Sequence, residues 1–177
     1  MPLIRPSSAD DVPQITAIYR HHVLTGTGTF EIEPPSPADM AARREDVLGK
    51  GLPFLVLEDD GQVCGFTYCN WFKPRPAYRF SAEDSIYLAP QVAGRGWGSL
   101  LLTELVGQAE RAGVRSLIAV IGDSGNAASI AVHQGCGFSQ AGVLPGCGWK
   151  FERWLDVVLM QRAIGGGQHT RPAQSTP

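Results

Sequence analysis

The chain has 177 residues, of which 44% are hydrophobic and 18% charged, and its formal net charge is −2 at pH 7. That length buries a full core in one domain without metal or disulfide help, and the charge balance gives no electrostatic reason to expect a nucleic-acid partner. No stretch approaches the roughly 18 apolar residues of a membrane span, and the N-terminus, with Pro2, Arg5, Pro6, Asp10 and Asp11, does not read as a signal peptide.

Taken in order, residues 3–4 read as a short strand. Ser8 with Asp11 three residues on is an N-cap with an acid in the first helical turn. Val12, Ile15, Ile18 and Tyr19 repeat at helical spacing, which predicts a helix to about residue 23, broken by Gly26 and Gly28. Residues 27–35 are polar, extended and stopped by Pro34-Pro35, a candidate substrate-side loop. Ser36-Pro37 with Asp39 starts a charged surface helix running to Leu48. Residues 53–58 and 62–70 are two strands joined by the hairpin turn Asp59-Asp60-Gly61. Residues 71–80 alternate aromatics and cations around Pro74 and Pro76, which exclude regular structure. Glu83 and Asp84 then lead into a strand over 85–90.

Beyond that strand lies Gly94-Arg95-Gly96-Trp97-Gly98-Ser99. Leu100, Leu101, Leu102, Leu105, Val106 and Ala109 follow at the spacing of one helical face, ending at Gly113. Residues 116–121 read as a strand buried on both faces. A loop over 122–125 precedes a short helix over 127–134. Strands over 138–144 and 154–160 are joined through Pro145-Gly146-Cys147-Gly148. One domain is expected over 1–164, with a mobile tail over 165–177. Cys64, Cys69, Cys136 and Cys147 form no C-x-x-C pair and neighbour apolar residues or glycine, as the buried reduced thiols of a cytoplasmic protein do.

The order strand, glycine turn, helix carries the chemistry. The first N–H groups of a helix have no internal partner and a partial positive charge, and glycines let a bulky anion approach them without a Cβ in the way. A Walker loop is excluded because Gly98 is followed by Ser99-Leu100 rather than Lys-Ser or Lys-Thr. The dinucleotide fingerprint is excluded because its third glycine falls on Ser99. A cradle for a phosphate or pyrophosphate remains, against the alternative of a turn built only for tight packing.

Gly94-Arg95-Gly96-Trp97-Gly98, between a strand and a Leu-rich helix, resembles the acetyl-coenzyme A loop of the GNAT superfamily of N-acetyltransferases, although Ala93 stands where that family usually has Gln or Arg. Over about residues 2–162 the element order resembles the GNAT fold, an α/β mixed and mostly antiparallel sheet flanked by helices. Tyr78, Glu83, Ser85-Ile86-Tyr87, Ala119-Val120-Ile121, Gly125 to Ser129, His133, Lys150-Phe151 and Trp154 to Asp156 are similar to the phosphinothricin and methionine sulfoximine N-acetyltransferases. The resemblance implies acetyl-coenzyme A as cosubstrate, a small amino acid analogue as acceptor, and a homodimer. It implies cofactor contacts at Ile86, Tyr87, Leu88, Gly94, Arg95, Gly96, Trp97, Gly98, Ser99 and Asn126.

Acetyl transfer needs a base, because an ammonium has no lone pair. Glu83 is the leading candidate, since partial burial would raise its pKa; the competing view is a surface carboxylate at a strand start, which suits Asp84 better. His133 stands where many GNAT enzymes carry the Tyr that protonates the leaving thiolate, or simply packs on a helix face. Asn126 caps the short helix, bonds coenzyme A, or both. Lys73, Pro74, Arg75 and Tyr78 are expected to contact substrate, with Arg offering a planar fork to an anion; otherwise they form a solubilising loop. Residues 146–150 close the far side of a pocket or merely turn the chain. No two His stand at metal-ligand spacing, so no metal site is expected. The remaining alternatives are a polyamine or protein N-terminal acetyltransferase, and a coenzyme A-binding sensor without turnover.

Overall fold

A computed structural model describes residues 2–172, and among these the chain forms seven strands and four helices. In chain order they are β1 (Leu3–Pro6), α1 (Val12–Thr25), α2 (Pro37–Gly49), β2 (Phe54–Asp59), β3 (Gln62–Trp71), β4 (Ser81–Leu88), α3 (Trp97–Arg111), β5 (Ser116–Gly122), α4 (Ala127–Gly135), β6 (Ser139–Lys150) and β7 (Arg153–Ala163). The sheet order is β1-β2-β3-β4-β5-β7-β6. Every neighbouring pair is antiparallel except β4 and β5, as the expected mixed sheet requires.

Alternation along β3 assigns the helices to faces. Phe66 meets Tyr19 of α1 edge-on, with ring centres 6.3 Å apart. Its neighbour Gly65 points the other way, where a Cβ would lie 3.5 Å from Leu101 of α3. The sheet is thus covered on both sides, which is why residues 63–67 form an unbroken buried run. Both expected caps are present. The Asp11 carboxylate accepts from the Ser8 amide at 2.6 Å, and Asp39 accepts from the Ser36 amide at 3.0 Å.

The parallel pair positions the site. β4 and β5 run in register from Ser81 opposite Ser116 to Asp84 opposite Ala119, and no further. β4 stays paired with β3 as far as Leu88, and β5 with β7 as far as Gly122. From Ser85 and Val120 onward the two strands part, and each presents an edge free of the other.

Several boundaries differ from the sequence expectations. β4 starts at Ser81, so Glu83 and Asp84 lie within the strand rather than ahead of it. α3 starts at Trp97, which makes Gly98 and Ser99 helical and leaves Leu100 exposed while Leu101, Leu102, Leu105, Val106 and Ala109 are buried. The β6–β7 connection is the two-residue turn Phe151-Glu152, with left-handed φ of 50° and 56°, not the stretch 145–148. That stretch is an irregularity within β6, and β6 tolerates Pro145 because it is an edge strand where a missing N–H breaks no ladder. Cys147 sits there exposed, unlike the other three cysteines. The expected tail is not free at its start: Arg115 donates from Nη2 to the carbonyls of Gly167 at 2.9 Å and Thr170 at 3.0 Å. Residues 173–177 lie outside the described residues.

Candidate active site

A cleft of about 1320 Å³ opens where β4 and β5 part. The glycine loop forms one end. Gly94 and Gly96 have φ of +78° and +77°, a left-handed conformation that L side chains resist, and a Cβ built on either would meet nothing within 4 Å. The glycines therefore keep open space in front of the helix start. Gly96 is the N-cap of α3 and brings no side-chain cap, so the first α3 amides have no side-chain acceptor from that position. Ile86, Tyr87, Leu88, Gly94, Gly96, Trp97, Gly98, Ser99 and Asn126 all line this cleft. Arg95 does not; its guanidinium lies over the Trp97 ring, 5.1 Å from the centre. Asn126 caps α4, with its Oδ1 accepting from the Ser129 amide at 3.2 Å.

Adjacent carboxylates on β4 point to opposite faces. Glu83 shares a face with Ser85 and Tyr87, opposite Asn70, Tyr68 and Phe66 of β3. Burial pushes its pKa up, and the charge of Asp84 adds to that, while Lys73 opposes it. Asp84 faces α4, where its Oδ2 accepts from His133 Nε2 at 2.9 Å. The two side chains are only 1% and 3% exposed, so this is a dry pair. His133 Nδ1 donates to the Ser129 carbonyl at 2.7 Å. With a carbonyl on one nitrogen and a carboxylate on the other, both ring nitrogens face acceptors, which favours the doubly protonated ring. Burial disfavours that charge, but Asp84 and Ser129 outweigh it and the pKa is raised. The second oxygen of Asp84, Oδ1, is buried without a partner.

Asp84 is therefore not the surface carboxylate that sequence reasoning preferred, and His133 has both ring nitrogens engaged rather than one free for a leaving group. A signal for Asp84 was available. It lies two residues from Ala82 and from Ile86, so any strand that turns Ala82 inward turns Asp84 inward too.

Residues 26–33 close the other end, and Gly26 to Glu31 line the cleft. The loop is anchored by Lys150, which is 4% exposed. Its Nζ donates to the carbonyls of Gly26 at 2.9 Å and Thr29 at 2.8 Å, and burial lowers its pKa. Phe30 packs where side chains at Gly122 and Gly148 would collide with it. Tyr19 and Thr29 share a hydroxyl hydrogen bond of 2.9 Å. His22 reaches the Leu88 carbonyl from α1 through Nε2 at 2.7 Å. Sequence periodicity exposes neither the role of Lys150 nor that of His22, because each depends on which segment crosses over it.

Lys73, Pro74, Arg75 and Tyr78 are exposed and do not line the cleft. Their loop folds on itself: Lys73 stacks on Phe72 at 4.9 Å, and Tyr78 meets Phe72 edge-on at 5.9 Å.

Residues 15–138 match the acetyltransferase (GNAT) family. The chain belongs to the GNAT family of acetyltransferases. It is 52% identical to the phosphinothricin N-acetyltransferase of Alcaligenes faecalis over 96% of this chain and 86% of that protein. It is 37% identical to the L-methionine sulfoximine/L-methionine sulfone acetyltransferase of Pseudomonas aeruginosa, over 89% of this chain and 92% of the relative. The crystal structure of a phosphinothricin acetyltransferase from Sinorhizobium meliloti in complex with acetyl-coenzyme A superposes with a TM-score of 0.94 at 44% identity, covering 98% of this chain and 94% of that one. The GNAT fold places a parting of the central strands and a glycine loop at one cleft in this chain, and the chain is accordingly an acetyltransferase.

The Asp84–His133 pair has a pH signature. A His whose folded pKa is raised contributes stability that is full below its unfolded value near 6.5 and fades as pH rises through the folded value. Asp84→Asn should cost about 3–5 kcal/mol at pH 5.5, where the wild-type pair carries both charges, and less at pH 8.5. Urea unfolding at the two pH values checks this, and an equal cost at both would remove the ion pair from the account.

Proposed function

We propose that this acetyltransferase moves acetyl from acetyl-coenzyme A to the α-amine of a small amino acid analogue of the phosphinothricin or methionine sulfoximine kind. The observation that carries the reading is one cleft holding, side by side, a helix start kept open by two left-handed glycines, a free strand edge and a carboxylate of raised pKa. The identities to relatives named for those substrates support the same class.

Acetyl-coenzyme A, when bound, supplies an acetyl group on a thioester. The amides at the start of α3 suit its diphosphate. The edge of β4 over 85–88, apart from the Ser85 and Leu88 carbonyls held by Thr67 and His22, offers backbone groups to the pantetheine arm, as a sheet edge does for an added strand. Glu83 takes the proton that the acceptor ammonium must lose, directly or through a water, and its raised pKa brings it closer to the working range of a base. On the other face, the buried Asp84–His133 pair lines the same cleft and fixes the wall between β4 and α4 beside the gap.

A polyamine acceptor fits less well. Four carboxylates line the cleft, namely Glu31, Glu83, Asp84 and Asp123. Three of them are held in ion pairs, with Arg43, His133 and Arg153. The field left over is that of one carboxylate, enough for one amine.

The reading extends to a homodimer in the cytoplasm. Edge strand β6 and its turn expose Val143, Leu144, Trp149 and Phe151, with Trp154 on β7, an apolar area of the kind that marks an interface. The described cysteines are unpaired, which suits a reducing compartment. Light scattering should give twice the mass of the 19.0 kDa chain; a monomer at high micromolar concentration would contradict the dimer.

Thiol release should be fast with L-methionine sulfone, L-methionine sulfoximine or phosphinothricin and slow with spermidine. Glu83→Gln should lower kcat on the order of 10²–10⁴-fold and abolish the acid limb, on which rate rises with pH as Glu83 loses its proton. A wild-type preference for spermidine over every amino acid tested would overturn the substrate class.

A further inference from the structure

An amino acid acceptor carries a carboxylate as well as an amine, and a site that selects it needs a cation. The loop expected to supply one, with Lys73 and Arg75, lies outside the cleft. Among the described residues that line the cleft, Arg43 is the only Arg or Lys.

Arg43 comes from α2 and is held on two sides. Its guanidinium carbon lies 5.2 Å from the centre of the Tyr19 ring, and its Nη2 donates to Glu31 Oε1 at 2.8 Å. The Glu31 bond engages one of the five N–H groups of the fork. The side chain is 27% exposed, open enough to meet a ligand yet largely out of water, where a charge pair is stronger than on an open surface. Stacked and tethered, the fork loses little rotamer freedom when it takes an anion.

Its position matches the base. Arg43 lines the same cleft as Tyr68, Glu83 and Ser85. Tyr68 pairs with Ser85, and the next pair on the same face is Asn70 with Glu83. The amine and carboxylate of an α-amino acid share one carbon, so a molecule of that shape in the cleft can turn its carboxylate to Arg43 and its amine toward Glu83. The cleft then offers a guanidinium with N–H groups beyond its Glu31 bond and, in Glu83, a carboxylate outside the ion pairs, the two groups a zwitterion requires.

We propose that Arg43 is the specificity-determining carboxylate anchor of this enzyme, binding the α-carboxylate of the acceptor through its guanidinium fork. The proposal rests on the amino acid reading given above.

The test uses the full-length enzyme, saturating acetyl-coenzyme A and L-methionine sulfone. Arg43→Gln should raise KM for the sulfone at least tenfold while kcat changes by less than threefold. Arg43→Lys, which keeps the charge but not the fork, should fall between the two. The coenzyme A dissociation constant, by calorimetry, and the thermal midpoint control for folding. An unchanged KM in Arg43→Gln overturns the anchor. So does a loss in which kcat, cofactor affinity and thermal midpoint fall together in both variants, because that pattern belongs to a strut between α2 and the loop. The wild-type enzyme separates the two levels. If it acetylates simple alkylamines and no amino acid, the amino acid reading fails and the anchor with it. If it acetylates the sulfone and Arg43→Gln keeps the wild-type KM, the reading stands and only the anchor fails.

Discussion

Everything at the site depends on where the single parallel pairing stops. β4 and β5 keep register for four residue pairs and part after Asp84 and Ala119. Each strand remains clamped on its far side, β4 by β3 and β5 by β7, so the parting leaves straight edges rather than loose chain. The backbone polar groups along those edges need partners. The cleft is therefore a consequence of sheet topology, and the side chains around it are arranged by the same two strands.

Alternation along β4 then divides the work. Glu83 faces α1 and α2, among Tyr68, Tyr87 and Asn70, and burial raises its pKa. Asp84, one residue on, faces α4 and pairs with His133, whose pKa it raises. A half-buried carboxylate open to the cleft and a buried ion pair need different surroundings, and neighbouring strand positions provide them across the thickness of one sheet. Lys150 and Phe30 complete the enclosure by fixing residues 26–33 over the ends of β5 and β6.

Much of this is legible in the sequence. Alternation, helical spacing, capping residues and the glycine turn give the elements and their order, and the glycine loop with its helix gives the anion end of the cleft. What escapes is of two kinds. Some turn chemistry is unusual: Phe151-Glu152 adopts left-handed geometry without the Asn-Gly signal of a two-residue hairpin, whereas the glycines of 145–148 carry a turn signal and lie within β6. Other features are contacts between distant segments. The Arg43–Glu31, His22–Leu88 and Lys150–Thr29 bonds join residues 12, 66 and 121 positions apart. A cation on a surface-patterned helix such as α2 carries no local mark that a loop will fold over it. The loop 72–80 shows the converse, since its alternating cations and aromatics look like a binding surface and largely stack on one another.

The central claim is that the free β4 edge and the start of α3 together receive acetyl-coenzyme A, and amide hydrogen exchange with and without coenzyme A tests it most directly. Amides within 85–88 and 95–99 should gain protection on binding, by at least tenfold in rate, while those of β1 and β2 do not change. Binding that leaves both segments exchanging as before, with protection appearing elsewhere, would contradict the account.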